Sequence, residues 1–347
     1  MPLPSAFEER IRLLYPEAAE RILSAFASPR VTSFRVNTLK ASINEVRDAL
    51  QTAGYSLEQM PWWDDAFILT DIEKQQIFHP MYDEGKFYVQ GLSSMLPPLV
   101  LDPQPGESIL DLTAAPGSKT TELAALMNNS GHILANDLSP VRLFKLQANL
   151  NQQGVTNAQV KRGPGELLWR RFPEQFDKTL VDVPCTMEGR IDANDPKTYE
   201  DWSLKKIKEL SMRQKMLLRS AVSATKPGGV IVYSTCTLAP EENEAVVSWM
   251  LEKEKGKVVV EEISMPKLTQ DDREIITGGV TTWGGQNYDP EVAKTLRIYP
   301  SSKMEGFFVA KLRKLEPTVT AEALSAPRPQ RHFKRRDDRR GGQRGHR

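Results

Sequence analysis

The sequence contains few cysteines and histidines, two and four among its 347 residues. Two cysteines cannot build the disulfide framework that stabilises many small secreted proteins. They are also too few for a four-cysteine zinc site, and the histidines are not spaced to complete a mixed one. We therefore predict no bound metal and two free thiols.

Long hydrophobic runs are missing as well. No stretch is long and apolar enough to span a membrane, and no segment resembles a signal peptide. Apolar residues make up 39% of the chain, which is enough for a sizeable core at a length that suggests two domains. We predict a soluble, cytoplasmic protein, and a monomer is the default because nothing indicates an oligomer.

The net charge of only +1 conceals an uneven distribution. Residues 328–347 contain nine Lys/Arg and two Asp/Glu. The preceding 327 residues contain 37 Lys/Arg and 43 Asp/Glu. Residues 315–347 are poor in apolar side chains and are predicted to form a basic disordered tail. Arg/Gly-rich segments bind phosphates through counterion release, which favours RNA as a partner; the alternative is a tail that only aids solubility.

Residues 1–90 have the pattern of a small α+β domain, of a kind that binds RNA. Apolar residues recur at helical spacing over residues 5–27, where Pro16 divides the helix into two. A strand is predicted over residues 31–39, and Ser42 is placed to cap a helix that ends near Ala53.

Strands and helices alternate over residues 91–314. The segments predicted as strands are 109–112, 132–135, 178–181, 230–233 and 306–312. Each of the first four precedes a predicted helix, and this alternation predicts a mostly parallel, doubly wound sheet. Residues 262–305, which contain two Gly-Gly pairs, are predicted to be an irregular insertion.

A turn of small residues follows the first of these strands. Its members are Thr113, Ala114, Ala115, Pro116, Gly117, Ser118 and Lys119. Backbone N–H groups and the positive end of the next helix surround a ligand at such a turn, and small side chains let the ligand approach. The sequence has no GxGxxG and no Walker pattern, which argues against nicotinamide and ATP chemistry.

Asp137 ends the second strand of this alternating region. A carboxylate at that position accepts both ribose hydroxyls of a bound nucleoside. The alternative is that Asp137 only caps the turn before Pro140.

Both cysteines follow strands at the same edge of the predicted sheet. Cys185 comes after strand 178–181, and Cys236 comes after strand 230–233. Ligands bind at the carboxyl ends of parallel strands, so this is where a chemical site would form. A lone free cysteine is more often an inert buried thiol, but two in equivalent loops favour a reactive pair.

Three segments carry a family resemblance. They are Asp111-Leu-Thr-Ala-Ala-Pro-Gly-Ser-Lys-Thr120, Asp182-Val-Pro-Cys185, and Tyr233-Ser-Thr-Cys236-Thr-Leu with Pro240-Glu-Glu-Asn243-Glu. Over roughly residues 5–313 the chain resembles the Nop/Sun family of RNA (cytosine-5)-methyltransferases, and it is most similar to the bacterial branch that modifies small-subunit ribosomal RNA. The resemblance implies a Rossmann-like methyltransferase domain, S-adenosylmethionine as cofactor, and RNA as partner, rRNA rather than tRNA.

The resemblance also implies roles for single residues. Cys236, in the Thr-Cys motif, is the nucleophile that adds to C6 of cytosine and thereby makes C5 able to attack a methyl group. Cys185 assists product release, although spacing alone does not choose between the two, because DNA cytosine-5 methyltransferases use the cysteine of a Pro-Cys pair. Asp182 contacts the base, Asp182 and Pro184 line the cofactor pocket, and Lys119 lies near the reacting centre.

The chain departs from the family pattern at three places. Gly163-Pro164-Gly165 stands where an Asp-Gly pair contacts the adenine side of the cofactor, and Pro164 offers no side-chain acceptor. We expect weaker or altered adenosine binding. Thr186-Met187 replaces Ser-Gly after the Pro-Cys pair, and Ala193-Asn194 precedes Asp195-Pro196 where an arginine is usual. Because both cysteines and Asp182 are retained, we still expect an active enzyme.

Two other functions fit the same fold. A methyltransferase for a protein or small molecule would need neither cysteine, and a noncatalytic RNA-binding or ribosome-assembly factor would keep only RNA binding. Arg35 and Asn37 match the family's amino-terminal motif and are candidates either for substrate contact or for a structural role. The tryptophans that could stack on bases, or simply pack, are Trp62, Trp63 and Trp283.

Overall fold

The computed structural model describes residues 3–71, 76–265 and 267–320. Ten α-helices lie in these residues, and none is long and apolar enough to cross a membrane. The helices are α1 (Ser5–Leu14), α2 (Ala19–Ala25), α3 (Ile43–Thr52), α4 (Pro80–Asp83), α5 (Leu92–Leu101), α6 (Ser118–Leu126), α7 (Pro140–Gln152), α8 (Leu204–Ala224), α9 (Glu244–Lys253) and α10 (Gln270–Ile275).

Fifteen strands lie in the same described residues. They are β1 (Ser33–Val36), β2 (Leu57–Gln59), β3 (Ala66–Leu69), β4 (Phe87–Val89), β5 (Ser108–Asp111), β6 (His132–Asp137), β7 (Ala158–Arg162), β8 (Phe176–Asp182), β9 (Thr225–Thr235), β10 (Val258–Glu261), β11 (Ile276–Gly278), β12 (Thr282–Trp283), β13 (Gln286–Asn287), β14 (Leu296–Ile298) and β15 (Phe307–Lys314).

A small antiparallel sheet, in the order β2-β3-β1-β4, forms near the amino terminus. Its core contains Phe34, Phe67 and Phe87 from the strands with Val46 and Leu50 from α3. The predicted cap of α3 is confirmed, because the Ser42 hydroxyl accepts a hydrogen bond from the Glu45 N–H. Helix and sheet thus bury their apolar faces against each other.

Helices α1 and α2 pack on a different part of the chain. Their apolar side chains, among them Phe7, Ile11 and Ile22, form one core cluster with Ile191, Tyr199 and Leu238. The two helices therefore cover the segments that follow β8 and β9 instead of the small sheet. The domain boundary at residue 90 stays a prediction.

The large sheet has the order β11-β14-β15-β9-β8-β5-β6-β7, and β10 pairs with the carboxyl half of β15. The half from β9 to β7 is parallel, and the added strands are antiparallel. Helices α8 and α9 cover one face, and α5 and α6 cover the other. This arrangement confirms the predicted α/β, Rossmann-like fold with a mostly parallel core.

The prediction of an irregular insertion over residues 262–305 was wrong. This segment contains α10, a β12–β13 hairpin, and strands β11 and β14, which extend the large sheet. Arg297 lies at the centre of β14 and interrupts the apolar pattern from which a buried strand is predicted. Its side chain is nevertheless only 1% exposed. Its guanidinium forms an ion pair with Glu244 of α9 and donates to the Tyr15 hydroxyl.

The predicted disordered tail also begins too early. The Leu315 N–H donates to the Lys257 carbonyl at 2.7 Å, and the Thr318 N–H donates to the Glu174 carboxylate at 2.9 Å. Val319 packs against the main core. Residues 315–320 are therefore attached to the large sheet, and the remainder of the predicted tail, residues 321–347, lies outside the described residues.

Candidate active site

A cleft of about 640 Å³ opens at the carboxyl ends of β5, β6, β8 and β9. In a doubly wound sheet this edge is the expected ligand site. The predicted site residues that border the cleft are Thr113, Ala115, Asp137, Asp182, Pro184, Cys185 and Cys236. The other predicted ones, Ala114, Pro116, Gly117, Ser118 and Lys119, belong to the turn and to the first residues of α6 and are not among the bordering residues.

The turn after β5 is held against α7 by close packing. The Ala115–Pro116 peptide bond is cis, and Gly117 has a φ of 111°, in the left-handed region that favours glycine. A Cβ atom on Gly117 would lie 2.8 Å from the Leu146 side chain of α7. Glycine is therefore favoured by conformation at the point where α6 begins, and a side chain there would also displace the end of Leu146.

Asp137 has the turn role considered for it, and ribose binding stays a prediction. One carboxylate oxygen accepts the Ser139 N–H at 2.9 Å, and the other lies 3.3 Å from the Arg142 guanidinium. The residue nevertheless borders the cleft while being only 5% exposed. A carboxylate already oriented by two partners is well placed to accept hydroxyl groups from a ligand.

The neighbouring residue, Asn136, offers an unused acceptor at the cleft. Its amide nitrogen donates to the carbonyls of Leu112, at 3.0 Å, and Gly163, at 3.2 Å. Its side-chain oxygen is buried and has no hydrogen-bond partner among the described residues. A buried acceptor without a partner is costly, and this oxygen lies beside Gly163 with almost no surface open to the cleft.

The segment that replaces the family's Asp-Gly pair also lies at the cleft. Gly165, which starts a short 3-10 helix, borders it, and a Cβ there would come 2.8 Å from the Leu217 side chain. Pro164 precedes that helix and contributes no side-chain acceptor. Weaker adenosine binding stays a prediction.

Asp182 ties together three segments at the site. Its carboxylate accepts the Lys119 ammonium at 2.7 Å and the Ser234 hydroxyl at 2.8 Å, and its carbonyl accepts the Thr113 hydroxyl at 2.8 Å. Burial alone would lower the pKa of Lys119, but the charge and hydrogen bond of Asp182, together with the nearby Cys236 and Glu122, raise it. Lys119 therefore stays a cation, which also donates to the Ser94 hydroxyl at 2.8 Å.

The two cysteines lie side by side, with their sulfur atoms 3.3 Å apart. The hydrogen bond to the Cys236 sulfur, burial, and the nearby Glu242 carboxylate raise the pKa of the Cys185 thiol well above its usual value. Cys236 instead interacts electrostatically with the cations Lys119 and Arg190. Negative charge is therefore disfavoured on the Cys185 sulfur, whereas two cations lie near the Cys236 sulfur.

Glu242 and Gln214, which were not predicted as site residues, hold the loop that carries Cys185. Both the N–H and the hydroxyl of Thr186 donate to the buried Glu242 carboxylate. The Gln214 amide donates to the Pro184 carbonyl at 2.9 Å and to Glu242 at 2.7 Å. The sequence could have indicated Glu242, because it lies within the Pro-Glu-Glu-Asn motif. For Gln214 the only indication is that it is a polar residue among the apolar residues of α8.

Arg35 and Asn37 have structural roles. Both are 1% exposed. Arg35 donates to Gln90, to the Thr121 hydroxyl and to the Ser118 carbonyl, and Asn37 donates to two backbone carbonyls. They join the small sheet to α6 and α7, and neither borders the cleft.

The tryptophans are largely occupied by packing. Trp62 and Trp63 pack against the core cluster that includes α5, and the Trp283 indole N–H donates to Glu241 at 3.0 Å. None of them borders the cleft.

The large sheet, with the cleft at the carboxyl ends of its parallel strands, is typical of the Rossmann-like methyltransferases that use S-adenosylmethionine. Residues 98–313 match the model of the 16S rRNA methyltransferase RsmB/F family, and residues 3–91 match that of the N-terminal domain of 16S rRNA methyltransferase RsmF. The chain belongs to the RsmB/F family and is an RNA (cytosine-5)-methyltransferase by class.

Named relatives include enzymes for two kinds of RNA. The chain is 40% identical over 300 residues to a tRNA (cytosine(49)-C(5))-methyltransferase of Pyrococcus abyssi, covering 85% of this chain and 92% of that protein. It is 36% identical to ribosomal RNA small subunit methyltransferase F of Vibrio vulnificus, covering 90% of this chain but 64% of that protein. The chain thus spans less than two thirds of the length of this ribosomal relative.

Solved structures from Pyrococcus horikoshii share the fold. A methyltransferase homologue, 36% identical, has a TM-score of 0.76 and covers 88% of this chain and 94% of its own. The protein NSun6, solved with SFG, is 25% identical, has a TM-score of 0.74, and covers 90% of this chain and 98% of its own.

The buried Glu242 predicts a pH-dependent stability. Burial raises the pKa of this carboxyl to about 7. Because the folded state then binds a proton that the unfolded state releases, stability should increase as the pH falls from 8 to 6, by about 1 kcal/mol from this group. Glu242→Gln should remove that part of the increase in chemical denaturation at the two pH values.

The matched control is Glu209→Gln, which neutralises an exposed carboxylate on α8, the helix that also carries Gln214. Asp111 and Glu122, whose pKa values burial also raises, remain in both variants and give the same background. An unchanged pH dependence in Glu242→Gln would show that this carboxylate is ionised throughout the range.

Proposed function

We propose that this protein transfers a methyl group from S-adenosylmethionine to C5 of a cytosine in RNA, through a covalent bond between Cys236 and C6. The observation that carries the proposal is the pair of free thiols, 3.3 Å apart, at a cleft that Asp182 and Asp137 also border. A second methyltransferase chemistry on the same fold would not require two thiols at this place.

The cleft has groups that fit the cofactor. Asp137 can accept the ribose hydroxyls of the nucleoside. Thr113 and Ala115 supply the wall formed by the first turn. When bound, S-adenosylmethionine supplies an electrophilic methyl group.

The protein's part in the reaction begins at Cys236. Its thiolate adds to C6 of the cytosine, and the electron pair of the C5–C6 double bond becomes available at C5 for bonding to the methyl group. Asp182 contacts the N3 and amine edge of the base, while Lys119, paired with Asp182, provides positive charge beside it.

Release reverses the first step. The C5 proton leaves to a base, the C5–C6 double bond forms again, and the Cys236 sulfur departs as a thiolate. Cys185, kept as a thiol beside that sulfur, donates a hydrogen bond that stabilises the departing thiolate. The two cysteines therefore have different tasks despite their equivalent positions.

The cysteine roles predict opposite phenotypes for two substitutions. Cys236→Ala should abolish methyl transfer, because no sulfur remains to activate C5. Cys185→Ala should let a covalent RNA–protein adduct accumulate, because departure of the thiolate is no longer assisted. Tritiated-methyl incorporation and a denaturing-gel shift of labelled RNA measure the two effects. Normal methylation by both variants would refute the covalent mechanism.

The cofactor role of Asp137 predicts a loss of affinity. Asp137→Ala removes a charged acceptor, so binding of S-adenosylmethionine should weaken roughly tenfold or more in calorimetric titration. Asp201→Ala, which removes an exposed carboxylate that does not border the cleft, is the control. Equal affinity of the two variants, with both folded by thermal unfolding, would leave Asp137 only its role in the turn.

Small-subunit ribosomal RNA is the proposed substrate, because residues 3–91 match the N-terminal domain model of RsmF. Transfer RNA is the second candidate, since the Pyrococcus abyssi relative with 40% identity is named for tRNA. Either substrate implies a cytoplasmic location.

Bisulfite sequencing of total RNA from cells with and without the gene distinguishes these substrates. We expect one cytosine of the small-subunit rRNA to lose its protection when the gene is absent. Loss of protection confined to tRNA would contradict the rRNA assignment. No change in either RNA would favour a noncatalytic RNA-binding factor.

A further inference from the structure

We infer that a cationic surface beside the cleft binds the phosphate backbone of the RNA that flanks the target cytosine. The surface is formed by the outer side of α8 and by residues 158–172, which run from β7 through the 3-10 helix Gly165–Arg170. This inference rests on the proposed function, because it assumes that the cleft receives an RNA base.

Positive charge is concentrated on these two segments. Together they contain ten Lys/Arg and two Asp/Glu. Residues 1–327 as a whole contain 37 Lys/Arg and 43 Asp/Glu, so acidic residues outnumber basic ones there. Both acidic residues already have partners, since Glu209 pairs with Lys205 and Glu166 pairs with Arg213. The remaining cations of the two segments therefore have no acidic partner within these segments, although residues 1–327 as a whole are acidic.

Three of these cations are central to the surface: Arg171, Lys215 and Arg219. Among the ion pairs between described residues, none involves any of the three. Arg171 is exposed, and Lys215 and Arg219 are half-buried. Unpaired cations that are close together repel one another, and phosphate groups relieve that repulsion.

Aromatic rings hold these cations in place. Arg219 lies 6.0 Å from the centre of the Trp169 ring, Lys215 lies 5.9 Å from Trp249, and Arg171 lies 5.8 Å from Phe172. A second cation, Arg170, Lys253 or Lys161, lies over each of the same three rings. Side chains ordered by a ring lose less conformational freedom when they bind a ligand.

Both segments of the surface also contribute to the border of the cleft. Gly165 of the 3-10 helix, and Arg213 and Leu217 of α8, border the cleft directly. Lys215 and Arg219 lie two residues before and after Leu217, and therefore on the outer side of α8, opposite the buried Leu217. A nucleic-acid strand with one base in the cleft would therefore have its neighbouring phosphates beside α8.

The last described residues are attached next to the segment 158–172. Thr318 is bonded to Glu174, two residues after Phe172, and the described chain ends at Thr320. The sequence then continues into the segment with nine Lys/Arg and two Asp/Glu. RNA, rather than an acidic protein, is the occupant that matches this charge and the base-binding cleft together.

The test compares two triple variants of the full chain that remove equal charge. Arg171→Gln, Lys215→Gln and Arg219→Gln neutralise the surface without touching residues that border the cleft. Lys267→Gln, Arg273→Gln and Lys294→Gln neutralise three exposed cations in the segment of α10 and β14. Binding of a fluorescein-labelled RNA hairpin with a cytosine in its loop is measured by anisotropy across a series of salt concentrations.

The surface variant should bind the hairpin more weakly, and the slope of log affinity against log salt should fall by about two to three, one for each phosphate that the variant no longer neutralises. The control variant should retain the wild-type slope. With methylatable RNA, the surface variant should raise KM and leave kcat unchanged. Thermal unfolding checks that both variants are folded.

Equal affinities and slopes for the surface variant and the wild type would overturn the inference, and they are also the result expected if the surface binds an acidic protein. This outcome differs from failure of the proposed function, in which the wild type binds the hairpin but transfers no methyl group to RNA. The binding measurement needs neither cofactor nor turnover, so each idea can fail alone.

Discussion

The geometry of the site depends on the Asp182 carboxylate. It binds Lys119 at the start of α6 and Ser234 near the end of β9, while the Asp182 carbonyl binds Thr113 in the first turn. Cys185 follows Asp182 by three residues, and Cys236 follows Ser234 by two. Because these bonds fix the strand ends that precede both cysteines, they also fix the distance between the sulfur atoms. A charge-assisted bond at a partly buried position is strong enough for this task.

The loops beyond the strand ends need their own support. Glu242 receives hydrogen bonds from Thr186 and Gln214, and Glu188 receives them from Trp202 and Thr237. Burial raises the pKa of both carboxyls, so their ionised forms are disfavoured in the folded state. Functional sites often reduce stability where a fixed geometry is required. Here the buried carboxyls that reduce stability hold the loop that places the Cys185 thiol beside the Cys236 thiol.

Features with local causes could be predicted from the sequence. The alternation of strands and helices places the turn after β5, Asp137 and both cysteines at one sheet edge, and the cleft is found there. Features that depend on distant partners could not. Arg297 reads as a surface residue until Glu244 and Tyr15 are seen beside it, and α1 and α2 pack on segments almost two hundred residues away. The motif left open whether Arg35 and Asn37 contact the substrate or have a structural role, and their burial indicates the structural role.

Spacing also left the choice of nucleophile open, since each cysteine follows a parallel strand. The surroundings of the two sulfur atoms differ. The hydrogen bond to the Cys236 sulfur and burial raise the pKa of the Cys185 thiol, and Glu242, which holds the Cys185 loop through Thr186, adds a smaller contribution. Lys119 and Arg190 act on Cys236 instead. The same strand edge could serve either cysteine, so the roles proposed for the two thiols rest on the groups around each sulfur and not on the strands themselves.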